Sequence, residues 1–315
     1  MNMITVFFRP LRMAKVLCLA ALLGWLPRPA SAQDQAQPVK AELKNDRVLV
    51  WVNGQVFTEY LFTADSKYPY FYPVIGPRTG HTITTHKTEP YPHHSSLFFG
   101  CDRINGGNYW QEGLERGRIV SKGISLAVDS GRMVVIKQKC SWERPGAESP
   151  FSDSRTITIQ APGKDLRFVD FEITMEANIE VQIEKNNHSL FAARMIPALS
   201  TQGGGTLRNA HGDLAEKGTF GKSAPWADYR GQHHGEIEGL AIFCDPQDRW
   251  FPPPWFTRDY GFFSPTPMFW LENNKLILKK GEQLHLRYRT VVHAGNPAPG
   301  DLDALYKKWT AKQPD

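Results

Sequence analysis

Two adjacent histidines, His94 and His93, open the most chemically loaded stretch of the sequence, EPYPHHSSLFFGCDRINGGNYW, residues 89–110. Imidazole titrates near neutrality and is the commonest metal ligand, so the pair suits proton transfer or metal binding. Neighbouring residues on an extended chain point to opposite faces, which argues against joint chelation of one ion. A metal would need His86, Asp102 or a distant residue as well. The favoured reading is one histidine of the pair working as a general acid or base in a cleft, the other holding the loop. Two imidazoles satisfied by loop hydrogen bonds would give the same sequence. Arg78, Asp102, Asn105 and Trp110 lie nearby in the chain and are candidates to line such a cleft.

Three further groups carry chemistry. In PWADYRG (225–231), Trp226 offers a face for stacking on a sugar, while Asp228 and Arg230 can hold hydroxyls or a carboxylate; Asp228 is also the candidate carboxylate partner of the histidine. An internal Asp–Arg ion pair beside a packed Trp is the competing reading. Downstream, three consecutive prolines stiffen the approach to Trp255, and Arg258, Asp259 and Tyr260 repeat the same side-chain types. This segment reads equally as site lining or as a rigid aromatic plug of the core. Last comes His293, on a strand face shared with His285, Arg287 and Arg289. Asn187-His188-Ser189 is read only as a glycosylation sequon. Dinucleotide, P-loop, nucleophile-elbow and zinc-ribbon signatures are absent.

The elements that must position these groups are strands. VLVWVNGQVFTEY (48–60) reads as strand, Asn-Gly turn, strand. Residues 132–142 and 155–160 are rich in β-branched side chains. Val169, Phe171, Ile173 and Met175 alternate along one face, followed by Ile179, Val181 and Ile183. In LHLRYRTVVH (284–293), Leu284, Leu286, Tyr288 and Val292 share a face. A helix is expected over 301–311, where Leu302, Leu305, Tyr306 and Trp309 are spaced for one stripe. Residues 69–94 and 200–235 resist strand assignment and read as long functional loops. The expected architecture is an all-β, large antiparallel two-sheet sandwich with long loops and a short C-terminal helix.

Residues 1–32 read as a secretory signal peptide: a basic start, an apolar Val16–Leu26 stretch and Ala30-Ser31-Ala32 before the cleavage point. Residues 33–40 read as a flexible N-terminus and 41–315 as a single β-sandwich domain. Export to the periplasm or the extracellular space is the expectation. Removing the four basic residues of the signal lowers Lys+Arg from 37 to 33 against 32 Asp+Glu, a net charge of about +1. No nucleic-acid partner and no membrane insertion are expected. Cys101, Cys140 and Cys244 remain, which allows one disulfide at most.

Taken in order, YPYFYPVIGPRTG, PHHSSLFFGCDRINGGNYW, APWADYRG, GLAIFCDPQDRWFPPPWFTRDYGFF and LRYRTVVHAG resemble the exported bacterial DUF6807 family, whose members often carry the label "methane oxygenase PmoA-like". The resemblance covers nearly the whole chain after the signal. Family members often show Asp-His-Pro-His-His before the serine, and here Glu89-Pro90-Tyr91-Pro92 precedes His93, so the first Asp-His is missing. The layout is also similar to the galactose-mutarotase-like supersandwich, whose mutarotases use a histidine acid with a glutamate base. No match to their C-terminal glutamate motif is found here.

The resemblance and the residues together imply an exported carbohydrate-active protein. The leading expectation is a sugar-processing enzyme (epimerase, lyase or glycoside-cleaving) with a carbohydrate or other small polar substrate. Arg258 and Arg78 would hold hydroxyls or a carboxylate, and Trp226, Trp255 and Trp110 would stack. No cofactor is expected. The family label implies the alternative of a metal-dependent oxidoreductase with His86, His93 and His94 as ligands. A non-catalytic carbohydrate-binding protein is the third reading.

Overall fold

The computed structural model describes residues 35–111 and 113–311, together with Met1 and Met3. Apart from those two methionines, the expected signal segment lies outside the described residues. The described residues from 35 to 311 belong to one compact unit.

Two antiparallel sheets form the body, with 12 and 8 strands among the described residues. The longer path of the first runs Trp255–Arg258, Phe262–Pro265, Ser189–Arg194, Leu97–Ile104, Tyr70–Val74, Gln55–Leu61, Arg47–Val52, Val39–Leu43. The second runs Thr206–Asn209, Trp226–His233, Glu236–Cys244, Gln283–Ala294, Leu166–Ala177, Phe151–Gly163, Met133–Glu143, Arg118–Val128. Alternation decides which side chains meet between the sheets. Phe99 and Phe191 of the 12-stranded sheet lie 5.8 and 5.1 Å from Phe171. Phe191 also stacks on Tyr288 at 4.9 Å, and Phe263 meets Tyr229 at 5.2 Å. Val169, Phe171, Ile173, Met175, Leu286 and Tyr288 are therefore inward, and all are buried.

The Asn53–Gly54 turn has positive φ at both residues, 50° and 78°, the backbone that a two-residue hairpin turn requires. The alternating run after Val169 does not stay in one sheet. Leu166–Ala177 lies in the 8-stranded sheet, whereas Val181–Glu184 pairs with Lys275–Leu278 in the other. The C-terminal helix spans Pro299–Thr310 and buries Leu302 and Trp309. These two pack with Phe168, Trp226, Ala241, Phe243 and Val291 on the outer face of the 8-stranded sheet.

Three expectations change. Residues 37–40 are not frayed: Gln37 bridges Ala161, and Val39–Leu43 is a strand whose Val39 and Ala41 enter the core. The stretch 200–235 is not one long loop. It contains the strands Thr206–Asn209 and Trp226–His233 and the short helix Ala215–Thr219. Gly203, Gly205 and Gly231 serve close backbone approach: a Cβ at Gly203 would sit 1.9 Å from the Pro197 carbonyl oxygen. The stretch 69–94 likewise begins with a strand, Tyr70–Val74. The three cysteines are buried free thiols, within the allowance of one disulfide at most. No helix among the described residues is long and apolar enough to cross a membrane.

Candidate functional site

The outer face of the 12-stranded sheet carries the site. Along Leu97–Ile104, Phe98, Gly100 and Asp102 point away from the second sheet, opposite in parity to Phe99. The antiparallel partner Ser189–Arg194 matches Leu190 to Gly100 and Ala192 to Phe98, so Arg194 shares that outer face, with Phe262 beside it in register. Gly100 leaves room for Tyr68 and Trp110 to lie on the sheet; a Cβ there would come 2.8 Å from the Tyr109 carbonyl oxygen. The 86–95 segment then crosses over this face. It is fixed by His94 N–H donating to the Tyr91 carbonyl (3.1 Å) and by the Tyr68 hydroxyl donating to the His93 carbonyl (2.6 Å).

Three imidazoles meet here. His93 and His94 have ring centroids 4.4 Å apart at 76°, an edge-to-face contact, so the turn brings the adjacent rings together and does not send them to opposite faces as an extended chain would. His93 meets His188 edge-on at 5.2 Å. His94 is wedged between Phe262 (4.5 Å) and Tyr91 (5.3 Å). His188 lies over Trp110, and its Nδ1 is 3.7 Å from Oδ2 of the buried Asp102. That distance suits an ion pair and exceeds a hydrogen bond. Tyr91 stacks on Tyr260 at 4.5 Å, and the Arg194 guanidinium sits 4.2 Å from the Tyr260 ring centre. A pocket of about 260 Å³ adjoins, lined in part by His93, Trp110, Tyr68, Tyr70, Lys67 and Lys87.

Burial sets the charge state of the pair. Loss of hydration pushes His93 down to about 4, assisted by the positive charges of His188 and Arg194 and opposed by Asp102. Burial likewise pushes His94 down to about 2, with His93, Arg194 and His188 adding to the effect. Both rings are therefore neutral near pH 7. His93 Nε2, His94 Nδ1, Trp110 Nε1 and Arg194 Nη1 are all buried without a hydrogen-bond partner. Seven other buried side-chain atoms among the described residues also lack a partner, but here four of them, one on a cation, gather beside a pocket, which marks a surface that a polar ligand can complete.

Other expected site residues lie elsewhere, for physical reasons. Asp228 is fully buried on the outer face of the 8-stranded sheet. It accepts from Arg208 (3.2 Å) and Arg230 (2.8 Å) and is bonded to His293 Nε2 (2.9 Å), which leaves it no role as a base. Trp226 is sealed under the C-terminal helix with its Nε1–H on Asp303 (2.9 Å), so it presents no face to a ligand. Trp255 is buried between the sheets, its Nε1–H donating to the Ala224 carbonyl. Arg258 pairs with Glu216 and lies over Phe256, and Asp259 accepts the Glu216 N–H at the start of the Ala215–Thr219 helix. Arg78 is exposed and pairs with Asp165 and Glu236. Asn105 sits in a turn at φ 47° and pins the neighbouring chain through Gln182 N–H and the Glu180 carbonyl. Of the residues singled out in the sequence, His93, His94, Asp102, Trp110 and Tyr260 come together.

The ligands implied by the oxygenase label do not fit a metal. His86 stacks on Tyr70 (4.7 Å) and Tyr72 (5.0 Å), not on the other two histidines. Among the described residues no group of three or more His, Cys, Asp or Glu is arranged to hold a metal ion. The sequence reading missed His188, Arg194 and Tyr91. The signal available was parity: 188, 190, 192 and 194 share a face, and an arginine closes the otherwise apolar run SLFAAR.

Solved structures offer remote likenesses. A galactose 1-epimerase from Lactobacillus acidophilus NCFM is 8% identical, aligned over 83% of this chain and 99% of its own, with a TM-score of 0.39. A galactose mutarotase related enzyme from Lactobacillus acidophilus is 8% identical over 81% of this chain and 97% of its own, with a TM-score of 0.33. No curated protein matches the chain. The model of DUF6807, described as a family of unknown function, matches residues 47–307, and the chain belongs to that family.

Proposed function

We propose that this chain is an exported enzyme that acts on a carbohydrate by histidine acid/base chemistry on the outer face of the 12-stranded sheet. One observation carries the reading: His93 and His188 meet at 5.2 Å, the first neutral through burial, the second backed by Asp102 at 3.7 Å. His93, with an unpartnered Nε2, accepts a proton from a sugar hydroxyl. His188 delivers a proton to the ring oxygen as the ring C–O bond opens. When His188 is protonated, the Asp102 carboxylate balances its charge and orients it, as the third member of a triad does. His94, wedged between Phe262 and Tyr91, holds the loop that presents His93. The Trp110 indole N–H is a free donor for a hydroxyl. The basic, apolar and Ala-Ser-Ala pattern of residues 1–32 supports export to the periplasm or the outside.

A screen of monosaccharides, glycosides and uronate polysaccharides tests this. Turnover of at least one class is expected, with kcat falling roughly 100- to 10,000-fold in His188→Ala and in His93→Ala while both variants stay folded. Full turnover in either variant would remove that histidine from the mechanism. Binding without turnover would make the chain a sugar-binding protein. Stoichiometric copper, iron or zinc in the purified protein would favour the metal-dependent oxidoreductase.

A further inference from the structure

Five arginines are buried among the described residues: Arg155, Arg167, Arg194, Arg208 and Arg289. Four of them have their charge answered. Arg155 makes two bonds to Asp153, at 2.8 and 3.0 Å. Arg208 bonds to Asp228 at 3.2 Å. Arg289 makes two bonds to Asp170, at 2.6 and 2.7 Å. Arg167 donates to the carbonyls of Gly163, Lys164 and Leu166. Arg194 has none of these. Its Nη1 is buried without a partner, and its side chain has no carboxylate or carbonyl against it among the described residues.

Ring faces surround it instead. Tyr260 lies 4.2 Å from its guanidinium carbon and Tyr91 5.6 Å. Such contacts return only part of the hydration that a buried cation gives up. They also hold the planar group in one orientation, so little rotamer freedom remains to be lost when an anion arrives. Beyond the rings of Tyr260, Tyr91 and Tyr229, the titratable groups close to it are His93 and His94, which are neutral near pH 7 and supply no counter-charge. Arg194 is 6% exposed, which keeps a small part of it open to an incoming group. Two more cations, Lys67 and Lys87, stand on the adjoining pocket wall, with Asp65 as the acidic residue there.

We propose that Arg194 anchors a carboxylate of the ligand, which makes the substrate class an acidic sugar such as a uronic acid. The sugar part of this statement rests on the function proposed above; the carboxylate part rests on Arg194 alone. A carboxylate matches the guanidinium fork with two parallel hydrogen bonds and supplies the missing charge.

The test is binding of matched pairs, galacturonate against galactose and glucuronate against glucose, with lactate and inorganic phosphate as non-sugar anions. Uronates are expected to bind roughly ten- to a hundredfold tighter than the neutral sugars. Arg194→Met brings the two affinities together, and its unliganded melting temperature does not fall, because an unanswered buried charge has been removed. Should the methionine variant not fold, Arg194→Lys keeps the charge and loses the fork, and its uronate preference drops about tenfold. Equal affinity for uronates and neutral sugars in the wild type overturns the inference and leaves the sugar reading standing. Lactate binding that depends on Arg194, with no sugar bound, sustains the anchor and sinks the sugar reading. Phosphate bound in preference to every carboxylate, no anion bound, or an unchanged preference in the lysine variant overturns the anchor.

Discussion

On the outer face of the 8-stranded sheet, Asp228 is held by Arg208, Arg230 and His293, and the C-terminal helix closes over Trp226 beside them. On the outer face of the 12-stranded sheet, His93, His94, Trp110 and Arg194 each bury a polar atom that nothing among the described residues satisfies. Both faces use His, Asp, Arg and Trp. The first network answers its charges internally, as a structural network must. The second is incomplete until a ligand arrives. Residue types alone point to both faces equally, and unpartnered atoms occur on both, His293 Nδ1 and Trp309 Nε1 lying on the sealed face. What separates them is that Asp228 answers the arginines of the first, whereas Arg194 of the second meets no carboxylate among the described residues.

The largest test of this contrast falls on Asp228. Asp228→Ala leaves Arg208, Arg230 and His293 facing one another without their carboxylate, and the expected loss is roughly 3–5 kcal/mol of unfolding free energy. Chemical denaturation measures it. Burial pushes the Asp228 carboxyl up, but the charge and hydrogen bond of His293, then Arg230 and Arg208, outweigh it and hold it below the usual carboxylate range. Its stabilisation is therefore fully present above the unfolded value of 3.8 and is lost as the pH falls below it. A folded, fully stable Asp228→Ala protein that had lost sugar turnover would invert the contrast.

The paired tryptophans give a smaller effect. Trp226→Phe removes the hydrogen bond to Asp303 and part of the packing under the helix, an expected cost of about 1–3 kcal/mol with ligand affinity unchanged. Trp110→Phe removes an indole N–H that has no protein partner, so stability should change by less than about 1 kcal/mol while sugar affinity falls several-fold. Calorimetric titration of both variants with one sugar checks the pair. A loss of affinity in Trp226→Phe alone would break the assignment of the two faces.

Strand parity was legible in the sequence because burial imposes it. Leu284, Leu286 and Tyr288 face the core, and Arg287, Arg289 and His293 face outward, as their alternation requires. What covers an outward face was not legible. The helix over Trp226 and the 86–95 segment over Phe98 are long-range packing outcomes, and both sit on strands with the same two-residue period. His188 and Arg194 reach His93 only because Ser189–Arg194 pairs with Leu97–Ile104, a register set by the whole sheet. A short window around His188 shows a sequon and nothing of its neighbour Asp102. The expectation of stacking by Trp226 and Trp255 failed for a related reason: large aromatic rings are used first to fill a core.

The smallest effect separates the two faces by pH. His93 is held at about 4, His94 at about 2 and His86 at about 4, each chiefly by burial, against 6.5 in the unfolded chain. At these three rings the unfolded chain therefore takes up protons below pH 6.5 that the native state refuses, and their contribution to stability declines as the pH falls through the window from 6.5 to 4. The Asp228 carboxyl does not respond until the pH drops below 3.8. Acidification should thus weaken the contribution of these three histidines before that of the Asp228 carboxyl. Replacing one imidazole, in His93→Phe, removes no more than about 1 kcal/mol of the loss at pH 5.5 relative to pH 7.5. The measurement is the unfolding free energy of wild type and variant at both values. Asp248, pushed up to about 8 by burial, works the other way and adds stability as the pH falls, so the difference between wild type and variant is the readout. A difference that stays the same at both pH values would mean that the His93 ring takes up protons in the folded state as easily as in the unfolded one. His93 would then be hydrated and not desolvated, and its role as a neutral base prepared by burial would lose its physical ground.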